Sequence, residues 1–129
     1  MNYGNIYENN DIVTANNFNL SLADSTLVEA KVREYFSDIP IMAEIARCES
    51  SYRHIHQDGS VLRGYVDQND TGVMQINLYY HDYSARNLGL DLENFYDNMA
   101  YARYLYERKG TQPWTASVPC WGSYVAIYY

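Results

Sequence analysis

The segment PIMAEIARCES, residues 40 to 50, has the pattern of a helix that ends in a carboxylate, and the prediction of the fold starts from this helix. Pro40 suits the first turn of a helix, where its missing N–H group is no loss. Ile41, Ile45 and Glu49 are spaced by four residues, so all three fall on one helical face. The pattern therefore predicts that Glu49 continues an apolar stripe at the end of a helix.

A carboxyl group in that position would have unusual acid–base properties. It would be partly shielded from water and would lie at the negative end of the helix dipole, and both effects disfavour the ionised form. The expected result is a raised pKa for Glu49, and a neutral carboxyl in a partly dry cleft is suited to act as a general acid. The alternative is that the helix ends earlier and that Glu49 extends into water.

This segment is one of four helical patterns in the chain, each with residues suited to its ends. They predict helices over residues 21–36, with Asp24 or Ser25 as the N-cap; over 38–49, with Asp38 as a candidate cap; over 78–89, closed by Gly89; and over 91–110, capped by Asp91.

The rest of the chain predicts irregular structure. Residues 51–74 carry three glycines and several Asp and Asn residues around short β-branched or aromatic pieces, which predicts a small hairpin or irregular lobe. Residues 112–122, QPWTASVPCWG, predict a compact aromatic turn region. The expected fold class is α+β, mainly α, in one domain over residues 21–129 that follows an N-terminal tail or irregular lead-in, residues 1–20.

Composition excludes several function classes. The chain has 129 residues, a formal charge of −7 and only nine Lys and Arg residues, which are scattered, so it does not have the pattern of a nucleic-acid-binding protein. No apolar run is long enough for a membrane span, and the first residues lack a secretory signal, so the protein either stays inside the cell or begins after a removed signal. Fifteen tyrosines are a feature that carbohydrate sites often share.

The two cysteines, Cys48 and Cys120, leave three interpretations open: a disulfide, free buried thiols or metal ligands. We favour a disulfide, which would stabilise the fold by roughly 4 kcal/mol and indicate an oxidising compartment. A zinc site that combines Cys48 with His54 and His56 would lack a paired cysteine motif and an obvious fourth ligand. We therefore expect no metal and no cofactor.

Four motifs follow one another in an order that resembles the lysozyme-like superfamily of soluble lytic transglycosylases (SLT), goose-type lysozymes and related bacterial muramidases. In that family a Glu-Ser pair ends a helix, a Gly-x-Met-Gln-Ile segment follows, and a helix with the Asn-x-x-x-Ala pattern leads into a Trp-containing turn. The resemblance covers residues 39–122 and implies helices around a cleft beside a small β lobe. The matching segments are CES (48–50), GVMQIN (72–77), NMAYARYLYERKG (98–110) and PWTASVPCW (113–121).

The resemblance implies cleavage of peptidoglycan glycan strands at the MurNAc-GlcNAc β-1,4 bond, with Glu49 as general acid and base. If Cys48 bonds Cys120, the helix end that bears Glu49 would be tied to the turn at Trp121. Many transglycosylases hold the glutamate with a tyrosine from a segment that this chain lacks. Tyr101 and Tyr104 could replace that tyrosine or could be packing residues. The substrate-binding candidates are Ser50, Gly72, Met74, Gln75, Asn77, Tyr101, Trp114 and Trp121, of which both tryptophans are equally suited to the core.

The reaction type depends on whether a second carboxylate takes part. A lytic transglycosylase, the expected activity, needs only Glu49, whereas a hydrolytic lysozyme also needs a group that positions water. Asp70 is the first choice for that group, ahead of Asp58 and Asp67, although aspartates in loops usually serve turns. The other alternative is a non-catalytic glycan-binding or scaffold domain. We expect an extracytoplasmic monomer, with a phage-encoded origin as one option.

Overall fold

The computed structural model describes residues 17 to 128, so most of the predicted tail, residues 1–16, lies outside the described part of the chain. The predicted class is confirmed, because the structure is mainly helical with one small two-stranded sheet. Residues 17–20, predicted as part of the irregular lead-in, are helical instead. The elements are α1 (17–21), α2 (Ser25–Tyr35), α3 (Pro40–Ser50), β1 (Asp70–Thr71), β2 (Ile76–Asn77), α4 (Leu78–Asn87), α5 (Phe95–Lys109), a 3-10 helix (Gln112–Ser117) and α6 (Val118–Tyr128).

Local sequence patterns predict the N-cap of one helix correctly and the N-caps of two others wrongly. Asp24 caps α2 as predicted, because its carboxylate accepts hydrogen bonds from the backbone of the first turn. Asp38 does not cap α3; its carboxylate instead accepts a 2.8 Å hydrogen bond from Arg103 of α5. Asn94, and not Asp91, caps α5, since the chain makes one more turn before the helix begins.

The core lies where α2, α3 and α5 pack together, and the tryptophans of the C-terminal region complete it. Each of these helices contributes residues at helical spacing whose side chains are almost wholly shielded from water. These core residues include Val28, Val32 and Phe36 from the first helix and its end, Met42 and Ile45 from the second, Met99 and Ala102 from the third, and Trp114 and Trp121.

The small β lobe lies between α3 and α4, as predicted. The two strands pair antiparallel, with Asp70 opposite Asn77 and Thr71 opposite Ile76. A tight turn, residues 72–75, joins them, and single bridges such as that between Ile55 and Val61 extend the lobe. The lobe brings Asp70 toward the end of α3.

The aromatic segment 112–122 is not a turn region as predicted but a 3-10 helix followed directly by the start of α6. The disulfide between Cys48 and Cys120 is confirmed, with the two Cα atoms 5.9 Å apart. The bond joins the last turn of α3 to the first turn of α6, so Glu49 and Trp121 each directly follow a bonded cysteine in the chain. Across residues 17–128, none of the helices is long and apolar enough to cross a membrane.

Candidate active site

Glu49 lies in the last turn of α3, and its side chain is half-buried. Ile41 and Ile45 on the same face are buried, so the predicted stripe is confirmed. The helix continues through Ser50, and the alternative in which it ends before Glu49 is therefore wrong. The chain then turns sharply, because Ser51 has a positive φ of 53°.

One oxygen of the Glu49 carboxyl is held by a side chain from the far end of the sequence. The hydroxyl of Ser117 donates a hydrogen bond to Oε1 at 3.0 Å. The same hydroxyl oxygen accepts a 2.9 Å hydrogen bond from the indole Nε1 of Trp121 and lies 3.1 Å from the carbonyl oxygen of Trp114. Among the hydrogen bonds of the described residues, none involves Oε2 of Glu49.

The environment of Glu49 favours its protonated form. Partial burial is the main cause that raises the pKa of Glu49, and the nearby negative charge of Asp70 raises it further. The hydrogen bond from Ser117 acts in the opposite direction, because it stabilises the ionised carboxylate. Burial is the largest of the three effects, so Glu49 retains its proton to a higher pH than an exposed glutamate does.

Asp70 is the candidate aspartate whose charge acts on Glu49. Burial raises the pKa of Asp70, and the charge of Asp67 adds to this, while a 3.0 Å hydrogen bond from the amide of Asn77 lowers it. Asp58 and Asp67, the other two candidates, accept hydrogen bonds from backbone N–H groups two residues further on, as turn aspartates do. Of the three, only Asp70 carries a charge that shifts the pKa of Glu49.

A recess of about 80 Å³ is lined in part by Asp70. Glu49 does not line this recess, but two of the residues that do are connected to Glu49. The charge of Asp70 raises the pKa of Glu49, and the carbonyl oxygen of Trp114 lies 3.1 Å from the Ser117 hydroxyl that bonds to Glu49. A second recess, of about 270 Å³, shares His81, Leu105 and Pro113 with the first, so the two recesses are neighbours. The first recess is lined by Asp70, Gln75, Ile76, Asn77, His81, Leu105, Pro113 and Trp114.

A larger recess, of about 580 Å³, lies on another part of the surface, near Leu20 and Gln57. It contains none of the predicted site residues. Size alone therefore does not locate the chemistry, and the perturbed carboxyl groups are the better guide to the site.

The turn at Gly72 is close to other parts of the protein, and not to an open surface where a ligand would approach. Its φ is +73°, and a Cβ atom there would lie 2.5 Å from Cε1 of His54. The backbone N–H of Val73 donates to Nδ1 of His54 at 3.0 Å, and the N–H of Met74 donates to the amide oxygen of Asn98 at 2.9 Å. Glycine is needed at position 72 for this internal packing, which differs from the predicted contact with a saccharide.

Side chains after this turn alternate as predicted. Met74 and Ile76 are buried, whereas Gln75 and Asn77 are half-buried and line the recess. The amide of Gln75 donates to the carbonyl of Gly72 at 2.9 Å, so it stabilises the turn as well. Asn77 caps α4 through its side-chain oxygen and uses its N–H₂ group to hold Asp70.

Three further predicted substrate contacts also make internal hydrogen bonds. Ser50 is buried, and its hydroxyl donates to the carbonyl of Ala46 in its own helix at 2.9 Å. Tyr101 is 1% exposed, and its hydroxyl bonds to Nδ1 of His81 and not to Glu49. The Trp114 indole donates to the carbonyl of Met74 at 3.0 Å. Of these three side chains only Trp114 also lines the recess.

The sequence analysis did not assign a place in this site to four residues that shape it: His54, His81, Asn98 and Ser117. Asn98 had a signal, because it is the asparagine of the Asn-x-x-x-Ala pattern, and its buried amide bonds to the backbone of Thr71, Met74 and Leu92. Ser117 lies in PWTASVPCW but no local spacing links it to Glu49. His81 follows the GVMQIN motif by four residues with no pattern that indicates the recess.

In the part of the chain that the structure describes, no group of three or more His, Cys, Asp or Glu side chains is arranged to hold a metal ion. Cys48, considered as a zinc ligand, is bonded to Cys120. Buried His54 uses both ring nitrogens on backbone groups, those of Val73 and Glu93.

Comparisons with known proteins identify no relative of the chain: no family model matches it, and no curated protein or solved structure matches it either. An assignment of function therefore depends on the chemistry of the site and on the motifs in the sequence.

Proposed function

We propose that this protein cleaves peptidoglycan glycan strands at the MurNAc-GlcNAc β-1,4 bond, as a lytic transglycosylase with a lysozyme-like fold. The observation that carries the proposal is the half-buried carboxyl of Glu49, whose pKa is raised by burial and by the charge of Asp70, a residue that lines a recess. The ordered motifs that resemble the lysozyme-like superfamily support the same assignment, because the acid falls on the glutamate of the Glu-Ser pair.

The proposed reaction needs one carboxyl group, which first donates a proton and later accepts one. Protonated Glu49 donates its proton to the glycosidic oxygen, the bond from that oxygen to the anomeric carbon breaks, and positive charge develops on the ring. The carboxylate then accepts a proton from the substrate's own hydroxyl as that hydroxyl attacks the anomeric carbon. An anhydro ring forms, and Glu49 regains its proton, so the enzyme returns to its starting state.

Hydrolysis is the second candidate, and Asp70 is the observation that favours it. This aspartate is half-buried, and its charge acts on Glu49, so the two carboxyl groups lie near one another. In a hydrolase Asp70 would hold the water that attacks the anomeric carbon, and the product would have a reducing end. The two reactions differ in their products by one water molecule.

Substrate recognition in this proposal depends on sugar contacts more than on charge. The chain carries a net charge of −7, and the recess is lined by amides, an imidazole and an indole, groups that hydrogen-bond or pack against sugar rings. The disulfide fits an oxidising compartment, which supports a proposed location outside the cytoplasm, where peptidoglycan lies. We propose that the protein acts as a monomer.

Digestion of purified peptidoglycan, followed by mass spectrometry of the products, tests the proposal. Wild-type protein should release fragments with anhydro-muramyl ends, and Glu49→Gln should keep the fold but lose nearly all cleavage. Glu44→Gln is the matched control, because Glu44 lies on the same helix, pairs with Arg47 and is not among the charges that shift the pKa of Glu49. Its activity should equal that of the wild type.

Other outcomes would point elsewhere. Reducing ends in place of anhydro ends would identify the hydrolase, and Asp70→Asn should then abolish turnover as well. Binding of glycan strands without any turnover by the wild type would identify a non-catalytic domain. Full activity of the Glu49→Gln variant would reject the assignment of the acid.

A further inference from the structure

We propose that Ser117 is a positioning residue that gives the two carboxyl oxygens of Glu49 different tasks: Oε1 is held as a hydrogen-bond acceptor, and Oε2 carries the proton that is transferred. This inference deepens the proposed function and rests on it only for the direction of the transfer. The hydrogen bond itself is a feature of the folded chain, so it can be tested without substrate.

Ser117 has only one hydrogen to donate and two lone pairs that can accept. One lone pair is engaged by the indole N–H of Trp121, which donates to the hydroxyl oxygen at 2.9 Å. Trp121 is itself 5% exposed and follows Cys120, which is bonded to α3. The position of the hydroxyl oxygen is therefore set by a buried ring and a covalent cross-link, and only the direction of its hydrogen is free.

The hydroxyl hydrogen has two acceptors within reach: Oε1 of Glu49 at 3.0 Å and the carbonyl oxygen of Trp114 at 3.1 Å. Carboxylate oxygens are stronger acceptors than carbonyl oxygens, so the hydrogen points to Oε1 whenever Glu49 is ionised. The Trp114 carbonyl does not depend on Ser117, because the indole N–H of Trp121 also reaches it, at 3.3 Å.

Once Oε1 accepts this bond, the carboxyl proton is placed on the other oxygen. Oε2 has no hydrogen bond among the described residues, and no buried side-chain nitrogen or oxygen in that part of the chain lacks a partner. It follows that Oε2 is reached by solvent. A proton on Oε2 can be transferred to a glycosidic oxygen. A proton on Oε1 would point at Ser117 and could not be transferred to the substrate.

Few other groups compete with Ser117 for control of this carboxyl. Asp70, from β1, is the one charged residue in the described chain whose charge shifts the pKa of Glu49. Arg47 lies two residues away in the same helix, but its guanidinium pairs with Glu44. A change in the titration of Glu49 after substitution of Ser117 can therefore be assigned to the lost hydrogen bond.

The test compares Ser117→Ala with Ser117→Thr, which keeps the hydroxyl. In Ser117→Ala the ionised carboxylate loses a donor, so its pKa should rise, and the basic limb of kcat/KM against pH should move to higher pH. The plateau of kcat/KM should fall by about twofold, because the proton is then shared between the two oxygens. Ser117→Thr should restore both the position of the limb and the plateau.

NMR titration of the Glu49 carboxyl carbon in protein without substrate provides a readout that does not depend on activity. The titration midpoint should move up in Ser117→Ala and return in Ser117→Thr. Trp121→Phe, which removes the indole N–H but keeps a large ring, should move the midpoint in the same direction by a smaller amount. This second variant tests the network if Ser117→Ala folds poorly.

Two results would overturn the inference. An unchanged NMR midpoint in Ser117→Ala would show that the hydrogen bond does not control Glu49. A plateau that falls equally at every pH, with no movement of the basic limb, would show a merely structural role for the serine. If the wild type cleaves no glycan but the midpoint moves as expected, the proposed function fails while the assignment of Ser117 stands.

Discussion

Removal of the disulfide tests whether a single cross-link holds the candidate acid in place. The bond joins residues 72 positions apart, so it closes a long loop in the unfolded chain. Loop-closure entropy for a loop of this length corresponds to about 4 kcal/mol at 25 °C. We expect the double variant Cys48→Ser/Cys120→Ser to lose about that much unfolding free energy, because the unfolded chain gains freedom.

The same figure gives an expected change in melting temperature. An unfolding entropy of about 2.1 cal/mol/K per residue gives about 0.27 kcal/mol/K for 129 residues. Division of about 4 kcal/mol by this value predicts that the Tm falls by about 15 °C. Thermal unfolding followed by circular dichroism measures the shift directly.

Reductant provides the control for this experiment. Dithiothreitol should lower the Tm of the wild type by a similar amount and leave the double variant unchanged. The proposed glycan cleavage, measured at a temperature well below both Tm values, should also fall, since Glu49 follows Cys48 and the Ser117–Trp121 pair adjoins Cys120. A Tm loss of only one or two degrees would refute the loop-closure argument, and full cleavage by the double variant would refute the role of the bond in holding the acid.

Two further substitutions test the site through stability. Because the pKa of Glu49 is raised above its ordinary value of 4.5, the folded protein binds this proton more tightly than the unfolded chain, and stability is lost as pH rises above about 4.5. Glu49→Gln should therefore raise the Tm at pH 7 and leave it nearly unchanged at pH 4; a lower Tm than wild type at pH 7 would contradict this. Gly72→Ala should cost about 3 kcal/mol in urea unfolding, because its Cβ would clash with His54 at a positive φ. Gly59→Ala, at φ +89° with nothing within 4 Å, should cost only about 1 kcal/mol, and equal losses would show that the contact with His54 is unimportant.

Local spacing was enough to predict α3 and the position of Glu49 on it. A helix repeats every few residues, so the apolar positions at Ile41 and Ile45 define a buried face without knowledge of what covers it. The same argument predicted the cap at Asp24, whose carboxylate acts on its own helix. It failed at Asp38, where a carboxylate suited to a cap pairs instead with Arg103, distant in sequence.

The disulfide was suggested by the sequence but required the tertiary structure to be established. Two cysteines in one small domain suggested a bond, but sequence left free thiols and metal ligands open. The packing of α3 against α6 resolves this, because it brings the two Cα atoms within 5.9 Å. The aromatic segment after α5 was predicted as a turn region, yet its two prolines, Pro113 and Pro119, are both accommodated in or near the first turn of a helix.

The amino-acid sequence alone was enough to predict the mainly helical class, the small β lobe and the acidic side chain on an apolar face, and it showed the pair of cysteines. Three-dimensional packing supplied the surroundings of that acid. Ser117 lies 68 positions from Glu49 in the chain, and Trp114 lies 40 from Met74, yet each pair shares a hydrogen bond. Periodicity reports which way a side chain points relative to its own helix, whereas its partners across the core depend on how all the elements fit together, which no local pattern records.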